Sequence, residues 1–393
     1  MLLAGFLDVA LFLLFIGYLA YGYGAGFLRS AGPMLGALLG ALASFFVTPL
    51  INATVLEPML RLVVLIVASI LLIAIGQAIG AWLTGVNTRR RERRSPGTVD
   101  RAFGAITNVV VAALIAWILG FSVGSIGVPA LTQAIASSGV LKTIDTLTPE
   151  PVKRGLSQLR AIAVNQGVPR VIDALGSPSQ QPPEISLDSP ELQDAADSVV
   201  RITGTAWECG QGQSGSGFVV SDDRVVTNAH VVAGVSEPVI EATGEPARSG
   251  RVVYFDPDSD LAVIAVPGLD ADPIPLSDDL DEGDGAVFQG YPLGGPFTSE
   301  PALVQDIANV RTPDIYGRAP NSLEVFVLTG NVQSGNSGGP LLTLDGDVAG
   351  VIFARSENLQ NVGYALTMDQ LGPVASQAPA LDRAVPTGAC VPG

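Results

Sequence analysis

Gly335-Asn336-Ser337-Gly338-Gly339-Pro340 presents a serine between glycines, so no neighbouring side chain shields its hydroxyl. Upstream, Thr227-Asn228-Ala229-His230-Val231-Val232 contains the one histidine of the 393-residue chain. A serine hydroxyl is a weak nucleophile at neutral pH. It needs an imidazole to take its proton and a carboxylate to hold that imidazole in the right tautomer. His230 is therefore the candidate general base and Ser337 the candidate nucleophile. The carboxylate belongs at a strand edge where packing can bury it, and Asp256-Pro257-Asp258-Ser259-Asp260 runs directly into Leu261-Ala262-Val263-Ile264. Asp260 abuts the apolar run and is the first choice. Asp256 and Asp258 read as parts of a solvated turn and stay open as alternatives. Gly335 can adopt backbone angles closed to other residues, which lets its amide and that of Ser337 converge as an oxyanion hole. Each such donor typically contributes about 3 to 4 kcal/mol of transition-state stabilisation.

Around these residues the pattern is all-β. From Glu191 onward, short apolar runs such as Gly217–Val220, Arg224–Thr227, Arg251–Phe255, Leu261–Val266, Ala286–Gln289, Leu323–Leu328, Pro340–Leu344 and Val348–Phe353 are punctuated by Gly, Asp, Asn and Pro. About 200 residues at that spacing suit two small antiparallel barrels with a site between them. With His230, Asp260 and Ser337 in this order the chain resembles the chymotrypsin fold, and that resemblance implies that Asn331, six residues before Ser337, stands at the base of the specificity pocket. Ala354, Arg355, Ser356, Gly363 and Tyr364 are candidates for its other walls. Asn331 is not an acid, so nothing here supports a demand for Lys or Arg in the substrate.

The first third belongs to a different solvent. Hydrophobic residues make up 48% of the chain, only 15% of residues are charged, and the mean hydropathy is +0.42. Four apolar runs, about Leu2 to Tyr23, Ala31 to Leu50, Leu60 to Leu83 and Ala102 to Ile126, are each long enough to cross a hydrocarbon core of roughly 30 Å. The first run lacks a basic leader and carries Asp8, so it reads as a retained anchor and not as a cleaved signal. Arg29 follows the first run and Arg89-Arg90-Arg91-Glu92-Arg93-Arg94 follows the third. The positive-inside rule then puts those loops in the cytoplasm, and everything after Ile126 outside the cytoplasmic membrane. The arginine cluster also suits anionic lipid. Gly32, Gly36 and Gly40 form a small-residue seam for helix packing. Asp8, at membrane depth or the outer interface, raises a competing reading in which the bundle itself transports or senses protons.

The expected domains are thus 1–128 in the membrane, a helical and Pro-rich linker over 129–190, and a protease domain over 191–393. Ser177-Pro178-Ser179-Gln180-Gln181-Pro182-Pro183 marks the break. From Pro190 onward 8 arginines and no lysine stand against 28 acidic residues, a net charge of −20, which excludes nucleic acid as a partner. Cys209 and Cys390 both fall in the part expected outside, where disulfides persist, so they are expected to pair. Such a crosslink would contribute about 5 kcal/mol in the loop-entropy picture, before any strain. No metal or organic cofactor is expected.

Gly215-Ser216-Gly217-Phe218-Val219-Val220, Thr227-Asn228-Ala229-His230, Asp260-Leu261-Ala262-Val263 and Gly335-Asn336-Ser337-Gly338-Gly339-Pro340-Leu341 together resemble the trypsin-like, HtrA-type serine proteases of the chymotrypsin fold. That resemblance implies His230 as base, Asp260 as its orienting carboxylate, Ser337 as nucleophile and the Gly335 and Ser337 amides as oxyanion hole. About 55 residues follow Ser337, leaving no room for a PDZ domain, so PDZ gating is not expected. Asp8, Gly26-Phe27-Leu28-Arg29 and Asp100-Arg101 with Gly104 are similar to the colicin V production (CvpA) family. The combination resembles the MarP-like family of actinobacterial membrane-anchored acid-resistance proteases. It implies a role in acid and envelope stress, protein substrates in the periplasm such as peptidoglycan hydrolases, and self-cleavage in the linker. Two rival classes remain: a protease-like binding domain without activity, and a membrane transporter or stress sensor to which the protease is accessory.

Overall fold

Unbroken apolar sequence with few breakers folds into long helices. In the computed structural model these are α1 (Leu2–Ala25), α2 (Phe27–Thr54), α3 (Pro58–Thr88) and α4 (Thr98–Val123). Each contains a window of at least 18 residues long and apolar enough to span a membrane. The structure describes residues 2–55, 58–88, 96–123, 129–149, 151–153, 155–156, 170–171, 184–206, 211–278, 280–318, 320–356 and 359–391. The arginine cluster 89–94, the Pro-rich break 177–183 and Cys209 lie outside the described residues. The chain divides into two units, Met1–Pro149 and Glu150–Gly393.

In the first unit the glycine seam packs backbone on backbone. A Cβ placed on Gly36 would overlap the Gly76 carbonyl, and one on Gly80 would overlap the Gly32 carbonyl, so α2 and α3 approach as closely as glycine alone allows. Buried Asn108 donates from Nδ2 to Ser30 Oγ (2.9 Å) and to the Gly104 carbonyl (2.7 Å), tying α4 to the start of α2. Two short helices follow, α5 (Pro129–Ala136) and α6 (Gly139–Leu147). Asp8 is spent on α6: its carboxylate accepts from Ser138 Oγ (2.5 Å) and from the Gly139 amide (3.1 Å), where a negative charge meets the positive end of the helix. Trp117 Nε1 donates to Asp145 Oδ1 (3.1 Å) further along α6.

In the second unit a two-residue strand, β1 (Arg170–Val171), precedes α7 (Pro190–Asp197). Ser189 caps α7 by accepting from the Leu192 amide, and Pro190 sits in the first turn, where a missing N–H costs nothing. The first sheet comprises β2 (Val199–Ala206), β3 (Gln211–Ser221), β4 (Arg224–Thr227), β5 (Val239–Glu241), β6 (Arg248–Ser249), β7 (Arg251–Asp256) and β8 (Leu261–Ala265). A one-turn helix, α8 (Ala229–Val232), interrupts it after β4. Its order is β6-β5-β2-β3-β4-β8-β7.

The second sheet comprises β9 (Gly285–Gly290), β10 (Thr298–Pro313), β11 (Pro320–Thr329), β12 (Pro340–Leu342), β13 (Val348–Ser356) and β14 (Val362–Leu366). It runs β13-β12-β9-β10-β11-β14 and closes because β13 also pairs with β14. β1 adds in parallel to the end of β13, Arg170 opposite Arg355 and Val171 opposite Ser356. Helix α9 (Met368–Gln377) follows.

Alternating strand residues fill three buried clusters. One lies inside the first sheet around Val200, Ile202, Val225 and Ile264, and one inside the second around Phe288, Leu328, Leu341 and Ile352. The largest joins them: Phe218, Leu261 and Val263 from the first sheet meet Val325, Phe353 and Leu366 from the second, with Leu371 and Val374 of α9. This is the chymotrypsin-like double-barrel architecture, preceded by helices suited to a membrane.

Candidate active site

His230 lies in α8, which starts where β4 ends. Thr227 and Asn228 are fully buried at that junction. Asn228 Nδ2 donates to the Asp260 main-chain carbonyl (2.8 Å), and the Ala229 amide donates to the same oxygen (3.2 Å). These bonds fix the turn before β8 against α8.

Asp260 sits in that turn with φ +54°, a left-handed conformation that a short polar residue tolerates better than most. Only 5% of it is exposed. Both carboxylate oxygens serve His230: Oδ1 accepts from the backbone amide (2.9 Å) and Oδ2 pairs with ring Nδ1 (2.7 Å). Neither alternative acid does this. Asp256 accepts from the Asp258 amide (3.0 Å) and Ser259 Oγ (2.5 Å) within its own turn, and Asp258 is exposed.

The Ser337 turn comes from the other sheet, just before β12. A Cβ on Gly338 would overlap Thr227 Oγ1 and the Ser216 carbonyl and meet the Asn228 amide nitrogen at 3.0 Å, so this turn abuts the junction that leads to His230. Ser337 is 2% exposed, and its Oγ has no hydrogen-bond partner among the described residues. The hydroxyl is therefore not committed elsewhere.

The turn's backbone can be accounted for group by group. The Ser334 carbonyl accepts from the Leu293 amide (2.5 Å), that of Gly335 from Ser216 Oγ (2.6 Å), that of Asn336 from the Gly339 amide (2.9 Å) and that of Ser337 from the Ser216 amide (2.8 Å). The Asn336 amide donates to Gln333 and the Gly338 amide to Ile352. Among the described residues, the amides of Gly335 and Ser337 have no acceptor. Gly335 has φ +93°, and a Cβ there would overlap the Tyr291 carbonyl. Leu293, which clamps the Ser334 carbonyl, is itself left-handed at φ +58°, a costly angle for a bulky residue held next to the turn.

β13 passes beside the Ser337 turn, since the Ile352 amide donates to the Gly339 carbonyl (2.9 Å). Of the expected pocket residues, Ala354 pairs with Tyr364 and Arg355 with Gly363 across the β13–β14 ladder. Ser356 and Tyr364 are joined through their hydroxyls. Burial pushes the Tyr364 phenol up, and the Ser356 hydrogen bond offsets this in part. Asn331 is exposed, whereas its neighbour Val332 is buried and packs on Gly363, where a Cβ would overlap its Cγ2. Val332, Asn228 and Ser216 were not singled out by sequence reasoning. Asn228 and Ser216 lie inside the stretches that carry the resemblance, which is a signal of place; Val332 has none.

The chain's C-terminal segment returns to α8. The Gly234 amide donates to the Thr387 carbonyl (3.0 Å), and Thr387 Oγ1 donates to the Val235 carbonyl (3.0 Å). Cys390 packs beside Gly234 and is not a free thiol.

Two family models match the chain, a trypsin-like peptidase domain over residues 215–351 and colicin V production protein over residues 7–149. Serine protease Rv3671c of Mycobacterium tuberculosis is 33% identical over 383 residues, covering 94% of each chain. A probable periplasmic serine endoprotease, DegP-like, of Halomonas elongata is 34% identical over 173 residues, 42% of this chain and 34% of that one. The crystal structure of the Rv3671c protease in its active form covers 57% of this chain and 100% of its own, with 34% identity and a TM-score of 0.53.

Proposed function

Since the chain belongs to the family of serine protease Rv3671c, a trypsin-like peptidase behind a colicin V production-type membrane domain, we propose that it is a membrane-anchored endopeptidase whose catalytic part, residues 191–393, faces the extracytoplasmic side. Ser337 Oγ attacks the scissile carbonyl while His230 Nε2 takes its proton. Asp260 holds Nδ1 protonated so that Nε2 offers its lone pair, and it stabilises the imidazolium that forms. The carbonyl oxygen becomes an oxyanion between the Gly335 and Ser337 amides. Collapse expels the amine, which takes the proton from His230 and leaves an acyl-enzyme. Water, deprotonated by His230, then attacks that ester and releases the acid.

The observation that carries this reading is the 2.7 Å bond between His230 Nδ1 and Asp260 Oδ2 in a site where Ser337 Oγ and two amides stand uncommitted. Ser337 Oγ makes no hydrogen bond to the imidazole in this state; catalytic hydrogen bonds of enzymes without substrate are often longer and tighten only when substrate binds. The use of Asp8 as a helix cap supports an anchoring bundle over proton transport.

Acid and envelope-stress protection, peptidoglycan hydrolases as substrates, and self-cleavage between residues 129 and 190 extend this proposal by family resemblance. A crosslink from Cys390 to Cys209 extends it on a separate ground, the placing of both cysteines in the part proposed to lie outside the membrane, where disulfides persist. A fluorophosphonate probe tests the core of it: the full chain in membranes is labelled at Ser337, and Ser337→Ala is not. Absence of labelling in the parent chain would identify a protease-like binding domain. Ser337→Ala recovered from the native envelope, with trapped proteins identified by mass spectrometry, tests the substrate class.

A further inference from the structure

We infer that Ser216 is the positioning residue that sets the oxyanion hole, an inference that rests on the proposed hydrolase reading and deepens it. Ser216 lies on β3 of the first sheet, whereas the Ser337 turn precedes β12 of the second, so its bonds cross between barrels. It is fully buried. Its hydroxyl donates to the Gly335 carbonyl (2.6 Å) and accepts from the Tyr291 amide (2.9 Å). Its main-chain amide donates to the Ser337 carbonyl (2.8 Å), and its own carbonyl accepts from Thr227 Oγ1 (2.7 Å), three residues before His230. One residue thus touches the oxyanion turn at two carbonyls and the base-bearing junction at a third point.

The orientation of an amide follows from the carbonyl in the same peptide plane. Leu293 holds the Ser334 carbonyl away from the site and so aims the Gly335 N–H into it. The next plane is held through Ser216 Oγ on the Gly335 carbonyl, the one clamp in this run of four that a side chain supplies. The Asn336 amide in that same plane donates to the Gln333 carbonyl (3.0 Å), so Ser216 supplies one of its two clamps. Losing it loosens the plane that links the two amide-bearing peptides and shifts Gly335 and Asn336 together. Only a small side chain fits: a Cβ on Gly290 would come within 2.6 Å of Ser216 Oγ, and one on Gly339 within 3.3 Å of its Cβ. Serine supplies donor and acceptor within that space, which alanine fills without either.

The test compares the full chain with Ser216→Ala and Ser216→Cys, the latter retaining a weaker donor. Ser216→Ala is expected to lower kcat on a peptide substrate by roughly 100-fold with KM changed by less than about twofold, the pattern for an interaction made in the transition state. Affinity for a peptide boronic acid, whose tetrahedral adduct places an oxygen between the two amides, falls by a similar factor, while affinity for the cleaved product peptide stays unchanged. Ser216→Cys lies between the two. Unchanged kcat and boronate affinity in Ser216→Ala would overturn the inference. So would a parallel loss of product binding and thermal stability, which would make Ser216 a packing residue. Fluorophosphonate labelling of the parent chain separates the levels: no labelling sinks the hydrolase reading, and equal labelling rates in parent and Ser216→Ala sink only the role of Ser216.

Discussion

Replacing Asp260 by asparagine changes one atom and removes one charge, and the geometry around His230 dictates the response. Oδ1 accepts from the His230 backbone amide, and Oδ2 faces ring Nδ1. The backbone N–H is always a donor, so the asparagine oxygen must stay at the Oδ1 position. Its NH2 then faces Nδ1, which becomes the acceptor, and the imidazole proton moves to Nε2. Serine is left facing a donor where it needs a base.

A loss of about 10⁴ in kcat is expected, the size of the wrong-tautomer effect in serine proteases. At 1.36 kcal/mol per decade this is about 5.4 kcal/mol of transition-state stabilisation. The bond to the His230 amide survives, so folding loses only about 1 kcal/mol, a shift of about 2 to 4 °C for a domain of this size. The assay is peptide hydrolysis by the full chain in detergent, with thermal melting alongside. Asp256→Asn and Asp258→Asn serve as controls and stay within about threefold of the parent, because those carboxylates serve their own turn or solvent. More than a tenth of the parent rate in Asp260→Asn would refute the reasoning, as would a collapse of Asp256→Asn with a normal melting profile.

Gly335→Ala has no room for its Cβ beside the Tyr291 carbonyl and no relaxed backbone at φ +93°; kcat should fall at least about 100-fold, as active-site titration and steady-state hydrolysis would show. Gly36→Ile drives a branched side chain into the Gly76 carbonyl. Overpacking of this kind costs about 1 to 3 kcal/mol, so the membrane unit should melt earlier in detergent while labelling of Ser337 persists. Arg170→Pro combined with Val171→Pro removes the N–H groups through which β1 holds the end of β13. Ala354 to Ser356 are the expected pocket wall, so peptide substrates that pair with this edge should show a lower KM, and an unchanged KM would show that β1 and substrate do not compete.

Much of this site is legible in the primary structure because its chemistry demands rare residues in a fixed order. His230 has no competitor, and Asp260 stands out because an acid beside Leu261–Ala265 can be buried. Short continuous apolar runs announce themselves as buried strands, as β8 and β13 do, with nearly every residue buried on both faces. β10 does not: Thr298–Pro313 carries Pro301, Gln305, Asp306 and Asn309, one of its faces is half exposed, and a bulge between Val304 and Asp306 breaks the alternation. Ser216 and Asn228 are legible in place but not in role, for another reason. Their importance lies in bonds to residues as many as 119 positions away, and a buried serine beside glycines looks like any other until those partners are placed. Val332 points inward where Asn331 does not, a difference of one position that only the backbone direction decides.

The return of the C-terminal segment to α8 has a kinetic consequence. Thr387 Oγ1 and the Val235 carbonyl are 152 positions apart, so this tie closes a loop spanning both sheets. Contacts of such long range form late, after local pairing has reduced the chain's freedom. Refolding should therefore restore the sheets' circular dichroism before it restores turnover, with the loop behind the imidazole among the last parts to settle.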